Sequence, residues 1–255
     1  MALVPKSYVN CVKCPTVSIN SVSVANRFSD AIIAENSGGY AAVIPDIKCF
    51  SPKTGNLLRG RNPVDVAKEL VKYGAKVMSV VTESKNFGGS PGLLHDIVKH
   101  TGIPVLRKDF IEDEAIIKET AELGASAILL ICATIGSEER VNFFYEKSLE
   151  YGVEPFVEVC NAEEMEWANR LGAKLIGINN RNILTLELDN GDTGRTASLA
   201  SKVNKGAVLV SESGILNRTD AELAVKSGAN AVLVGTALWD AGDMKAMFQS
   251  LKVEI

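Results

Sequence analysis

The chain has 255 residues, 46% hydrophobic and 23% charged, which excludes a disordered polymer and leaves room for one large α/β barrel or two ordinary domains. Lys and Arg number 27 against 31 Asp and Glu with no basic run, so the footprint of a nucleic-acid binder is missing, although a small anion needs only a few local cations. No stretch resembles a membrane span, and Met1 to Asn10 lacks the apolar core of a signal peptide, so no membrane partner and a cytoplasmic location are expected.

Residues 1–40 read as an N-terminal extension, partly irregular, in which Arg27 to Glu35 is predicted to form one short amphipathic helix covering the N-terminal face of the domain that follows. Cys11 and Cys14 form a lone CxxC. With no second pair, and only His95 and His100 as imidazoles, a zinc site needing about four ligands is not expected, and the thiols read as free. Cys49, Cys132 and Cys160 complete an odd, scattered set that does not suggest a disulfide framework.

From residue 41 onward, β-branched runs alternate with helix-period segments. Eight strands are predicted: Ala41 to Lys48, Lys76 to Thr82, Ile103 to Arg107, Ser126 to Cys132, Pro155 to Cys160, Lys174 to Asn179, Ala207 to Ser211 and Ala229 to Val234. Between them, Asn62-Pro63 and Ser90-Pro91 read as helix starts, and Asn161 with Glu164, and Thr219 with Glu222, as capping boxes. Glycines 74, 172 and 228 close helices just before strands. Eight βα units without a linker describe a single-domain (β/α)8 (TIM) barrel over residues 41–255 better than an open sheet. Pro45, inside the first strand, predicts a bulge or a shortened strand.

Barrels of this kind build chemistry at the carboxyl ends of their strands. Those positions carry Asp46, Lys48, Glu83, Lys108, Glu158, Asn179 to Arg181, Ser211 to Gly214 and Gly235-Thr236. The period of two puts Asp46 and Lys48 on one face, and Lys108 on the face of Leu106. Taken singly, Asp46 and Lys48 read equally well as an ion pair, and Arg107-Lys108-Asp109 as the solvated start of a loop. Their coincidence at the ends of apolar strands favours a site. Ser213-Gly214 and Gly235-Thr236, after the last two strands, offer backbone N–H groups to an anion and imply a phosphorylated ligand.

Seven collinear motifs, IPDIKCFSPKTG (44–55), SVVTESKNFGGS (79–90), PVLRKDFI (104–111), VEV (157–159), IGINNRNILTLELD (176–189), SESGI (211–215) and VLVGTAL (232–238), resemble the indole-3-glycerol phosphate synthases of tryptophan biosynthesis. The resemblance implies a carboxy-lyase that closes a ring in 1-(2-carboxyphenylamino)-1-deoxyribulose 5-phosphate with loss of CO₂ and water, using no metal or cofactor. It makes Lys108 the general acid, with Glu158, Asp46, Lys48 and Asn179 as the further catalytic groups. By the same resemblance Ser51, Ser213, Gly214, Gly235 and Thr236 cradle phosphate, Glu212 completes the seventh strand end, and Arg181 orients substrate or acidic groups. Phe87, Phe110 and Leu129 match the pocket for the aromatic ring. Where the family has Ala-Glu-Ile-Lys-Arg, this chain has Pro45-Asp46-Ile47-Lys48-Cys49. A paralogue acting on another phosphorylated amino sugar or aryl amine, and a non-catalytic barrel binding a phosphorylated ligand, are the alternative readings. The sequence leaves oligomeric state open.

Overall fold

The computed structural model describes residues 27–181, 183–185 and 193–255; Cys11 and Cys14, and the end of the 176–189 motif, lie outside the described residues. Eight parallel strands close on themselves: β1 (Ala42–Ile47), β2 (Met78–Val81), β3 (Val105–Lys108), β4 (Ala127–Ile131), β5 (Glu154–Val159), β6 (Leu175–Asn179), β7 (Val208–Glu212) and β8 (Ala231–Val234), with β1 pairing both β2 and β8. This is the (β/α)8 barrel that the alternation predicts. All eight predicted runs are strands, because a parallel strand buried on both faces needs a near-continuous apolar run.

Pro45 departs from expectation. The strand is neither bulged nor interrupted: Ala42 to Pro45 pair with Ala231 to Val234, and Asp46 and Ile47 pair with Ser79 and Val80. The missing N–H falls where β1 passes from one neighbour to the other, so neither ladder is broken in its middle.

The helices obey local rules. Asn62 Oδ1 accepts from the N–H groups of Val64 and Asp65 ahead of Pro63–Tyr73, and Gly74 ends that helix at φ 108°, a left-handed value that favours glycine. Ser90 caps Pro91–Thr101 in the same way. Asn161 caps Ala162–Arg170, but the Glu164 carboxylate accepts from the Cys160 N–H and Asn161 Nδ2, not from the Asn161 N–H of a regular capping box. The Thr219–Glu222 box does not form. The helix Arg218–Lys226 is capped by Asn217, whose side chain accepts from the Asp220 N–H while Asp220 accepts from Leu216, and Glu222 pairs with Arg218.

Two apolar shells result, one between the strands and their surrounding helices and one inside the barrel. The inner shell is closed at the N-terminal mouth by the helix Phe28–Ser37. Phe28 and Ile32 are fully buried there, with the Phe28 ring 6.5 Å from that of Phe156. Glu154, at the start of β5, accepts from the Ser29 N–H at 3.0 Å and from its hydroxyl. Burying two such side chains contributes roughly 3–6 kcal/mol, and it leaves the opposite mouth as the place for a ligand.

Candidate active site

Along β1, β3, β5 and β7 the inward face carries apolar residues in the barrel interior and a polar one at its carboxyl end. Ala42 and Ile44 lead to Asp46, Leu106 to Lys108, Phe156 to Glu158, and Val208 and Val210 to Glu212. The strict period of two thus collects the charged residues from separate strands into one layer at the carboxyl ends. Lys108 Nζ lies 3.2 Å from Glu158 Oε2 and 3.0 Å from Glu212 Oε2, and Asn179 Nδ2 donates to Glu158 Oε1 at 2.9 Å. Glu158, Glu212, Asp46, Lys48 and Asn179 are all buried.

Burial opposes charge on Lys108, but the carboxylates of Glu212, Glu158 and Asp46 outweigh it and hold the ammonium well above its ordinary range. The group is therefore a fully protonated acid aimed into the site. Glu212 goes the other way. Burial, helped by the charges of Glu158 and Asp46 and opposed by Lys108, pushes its carboxyl up to about 7. In the unfolded chain that carboxyl titrates near 4.5, so the folded state binds its proton more tightly, and the stability this confers is present below 4.5 and lost as pH rises through 7. Urea titrations are expected to show wild type losing stability relative to Glu212→Gln between those two pH values. A difference that stays constant across them contradicts the assignment.

Two cavities meet at this layer, and Asp46, Lys48 and Lys108 line both. The first is largely apolar, walled by Phe87, Phe110, Val81, Ile131 and Ile183, with Lys48 Nζ 5.7 Å from the centre of the Phe87 ring. It fits a flat aromatic ring with a carboxylate near Lys48. The second is lined by Arg181, Ser213, Gly214, Gly235 and Thr236. Ser213 at φ 63° and Gly214 at φ 71° form a left-handed turn at the edge of this cavity. At Gly235 a β-carbon would lie 3.2 Å from Asp46 Oδ2, so a side chain there would press on that carboxylate. Among the described residues no three His, Cys, Asp or Glu side chains are placed to hold a metal ion, and no helix is long and apolar enough to cross a membrane.

The structure thus brings together Asp46, Lys48, Lys108, Glu158, Asn179 and Glu212, and sets Phe87 and Phe110 on one side and Arg181, Ser213, Gly214, Gly235 and Thr236 on the other. Leu129 lies inside the barrel one pleat below, fully buried, and it is Ile131 that reaches the apolar cavity. Ser51 is buried in the small hairpin of Phe50–Ser51 and Gly55–Asn56 after β1 and lines neither cavity. Arg107 is not at a solvated loop. It is buried behind β3, donating to Thr82, Asp109, Glu119 and Thr120. Its outward place in the strand alternation, facing a helix, was the available signal.

Fold and site define a barrel enzyme class: a cluster of acid–base side chains at the carboxyl ends of the strands, between a largely apolar cavity and a polar one on the last two βα turns. Comparison with known proteins makes this specific. A family model for indole-3-glycerol phosphate synthase matches residues 13–251, and the chain belongs to that family. It is 40% identical over 215 residues to the indole-3-glycerol phosphate synthase of Thermococcus kodakarensis, covering 84% of this chain and 93% of that one. The synthase of Pyrococcus furiosus is 42% identical over 199 residues, 78% of this chain and 86% of the relative. That of Lachnospira eligens is 35% identical over 240 residues, 92% and 87%. Among solved structures, orotidine 5′-phosphate decarboxylase from Pyrococcus horikoshii shares the fold, with a TM-score of 0.59 at 14% identity, covering 82% of this chain and 96% of that one.

Proposed function

We propose that this protein is an indole-3-glycerol phosphate synthase, a carboxy-lyase that cyclises 1-(2-carboxyphenylamino)-1-deoxyribulose 5-phosphate with loss of CO₂ and water. Beside the family membership, the observation that carries the reading is the junction at Asp46, Lys48 and Lys108 of an apolar slot with an anion seat. The substrate is an aromatic ring joined through a short sugar chain to a phosphate, and the bond to be formed lies between the two ends.

In this reading the ring sits between Phe87 and Phe110, the phosphate on the turns at Ser213-Gly214 and Gly235-Thr236, and the ring carboxylate near Lys48. The sugar ketone then faces Lys108. As the ring carbon attacks, the ammonium of Lys108 donates its proton to the developing alkoxide and stabilises its charge, which a buried, preorganised cation does at little reorganisation cost. Loss of CO₂ restores the aromatic ring. In the dehydration that follows, Glu158, kept in place by Asn179 and Lys108, takes the proton from the carbon beside the nitrogen while the hydroxyl leaves as water with a proton from Lys48. Asp46 keeps negative charge beside Lys108 and so supports its protonated state. The reading needs no cofactor.

The test is to incubate the purified protein with this substrate and follow indole fluorescence, with and without a chelator. Production of indole-3-glycerol phosphate that survives the chelator is expected, as is competitive inhibition by inorganic phosphate with a rise in melting temperature, because an anion held by the folded state stabilises it by mass action. No product, or activity restored only by a divalent ion, contradicts the proposal.

A further inference from the structure

Asn180 follows the catalytic-layer residue Asn179 but points away from the cavities, and neither the acid–base centre nor the ring slot uses it. It is buried and fully satisfied. Its Nδ2 lies 3.0 Å from each of three acceptors, Ser211 Oγ, the Glu212 carbonyl and the Ser213 carbonyl. Its Oδ1 accepts from Thr196 N–H at 3.1 Å and from Thr196 Oγ1 at 2.9 Å, and Thr196 Oγ1 lies 2.8 Å from Ser211 Oγ. Its own N–H donates to the Glu212 carbonyl at 2.9 Å. One side chain therefore ties the end of β6, the end of β7 and the helix Gly194–Leu199 together.

The two tethered carbonyls belong to the peptides on either side of Ser213. A planar trans peptide points its N–H opposite its C=O, so fixing both carbonyls on Asn180 turns the N–H groups of Ser213 and Gly214 away from it, toward the cavity these residues line. Ser213 holds φ 63°, which costs free energy for a residue with a β-carbon and persists only where the surroundings impose it. The Nδ2 contact to its carbonyl imposes it. We propose that Asn180 is a positioning residue for anion recognition: it holds the Ser213–Gly214 turn in its strained form and aims the two amides at the phosphate of the substrate. This rests on the reading of that turn as the phosphate seat.

The test compares wild type, Asn180→Asp and Thr196→Val for KM, kcat and competitive inhibition by inorganic phosphate. Asn180→Asp keeps the shape and the Thr196 donors but sets an oxygen against the two carbonyls. KM and the inhibition constant for phosphate are expected to rise by about tenfold or more, the worth of a buried hydrogen-bond set, with kcat falling by less. Thr196→Val, which removes the hydroxyl shared by Asn180 Oδ1 and Ser211 but keeps the Thr196 N–H donor, should raise the same two constants by roughly two- to fivefold. A purely structural role would lower the melting temperature and leave both constants alone, and that result in a folded Asn180→Asp overturns the proposal. If Asn180→Asp does not fold, unchanged phosphate inhibition in Thr196→Val overturns it. A wild-type enzyme that phosphate does not inhibit defeats the phosphate-seat reading itself, a different outcome from variants that keep the wild-type inhibition.

Discussion

Replacing Lys108 by alanine is expected to lower turnover by roughly 10² to 10⁴, the usual worth of a positioned general acid. The geometry adds a second reason for a large loss. Lys108 is the cation that both Glu158 and Glu212 bind, and without it two buried carboxylates and Asp46 face one another. At least one of them then takes up a proton, so the base is compromised along with the acid. The phosphate-induced rise in melting temperature should shrink but persist, because Lys108 lines the second cavity while the turns at Ser213-Gly214 and Gly235-Thr236 remain. Steady-state turnover and thermal melts with and without phosphate measure both halves, and a loss of less than about tenfold would move the acid's role to Lys48.

Gly177→Ala is expected to be as severe, though it adds only a methyl group. A β-carbon at this inward position of β6 would lie 2.0 Å from Glu212 Oε1 and 2.6 Å from the Phe156 ring, so both must move. Phe156 is packed in the inner shell and Glu212 is bonded to Lys108, so the displacement disturbs the core and the charged layer together. Overpacking of this kind costs roughly 1–3 kcal/mol, which for a domain of this size lowers the melting temperature by about 3–10 °C. Turnover should fall with it. A variant with wild-type melting and wild-type turnover would mean that the barrel interior has slack at this layer.

The eight strands, and the layer of charge at the ends of several of them, are legible because both follow from local pattern: buried parallel strands are mostly apolar runs, and the period of two carries the inward faces of β1, β3, β5, β6 and β7 to a polar terminus. Asp46, Lys108 and Glu158 could be found that way. Reach along an inward face was harder to read, which is why Leu129 was expected where Ile131 stands, one pleat further out. The start of the helix Arg218–Lys226 lies ahead of the Thr219–Glu222 reading because two capping signals compete within Asn217 to Glu222, and the local pair Asn217 and Asp220 forms the cap. Arg107 and Asn180 owe their surroundings to segments distant in the chain, Arg107 to Glu119 and Asn180 to Thr196 and Ser213, and no window of sequence displays such neighbours.

The helix Phe28–Ser37 that seals the N-terminal mouth makes the barrel a vessel with one opening. Gas, water and the finished heterocycle must leave by the route the starting material used, so arrival and departure take turns. On the proposed function each cycle then includes an interval in which the well is occupied by its own product, and the bicyclic ring, more extended than the single ring before it, meets the same Phe87 and Phe110 walls. The one-ended shape couples how firmly the aromatic ring is held for closure to how slowly it is surrendered afterwards.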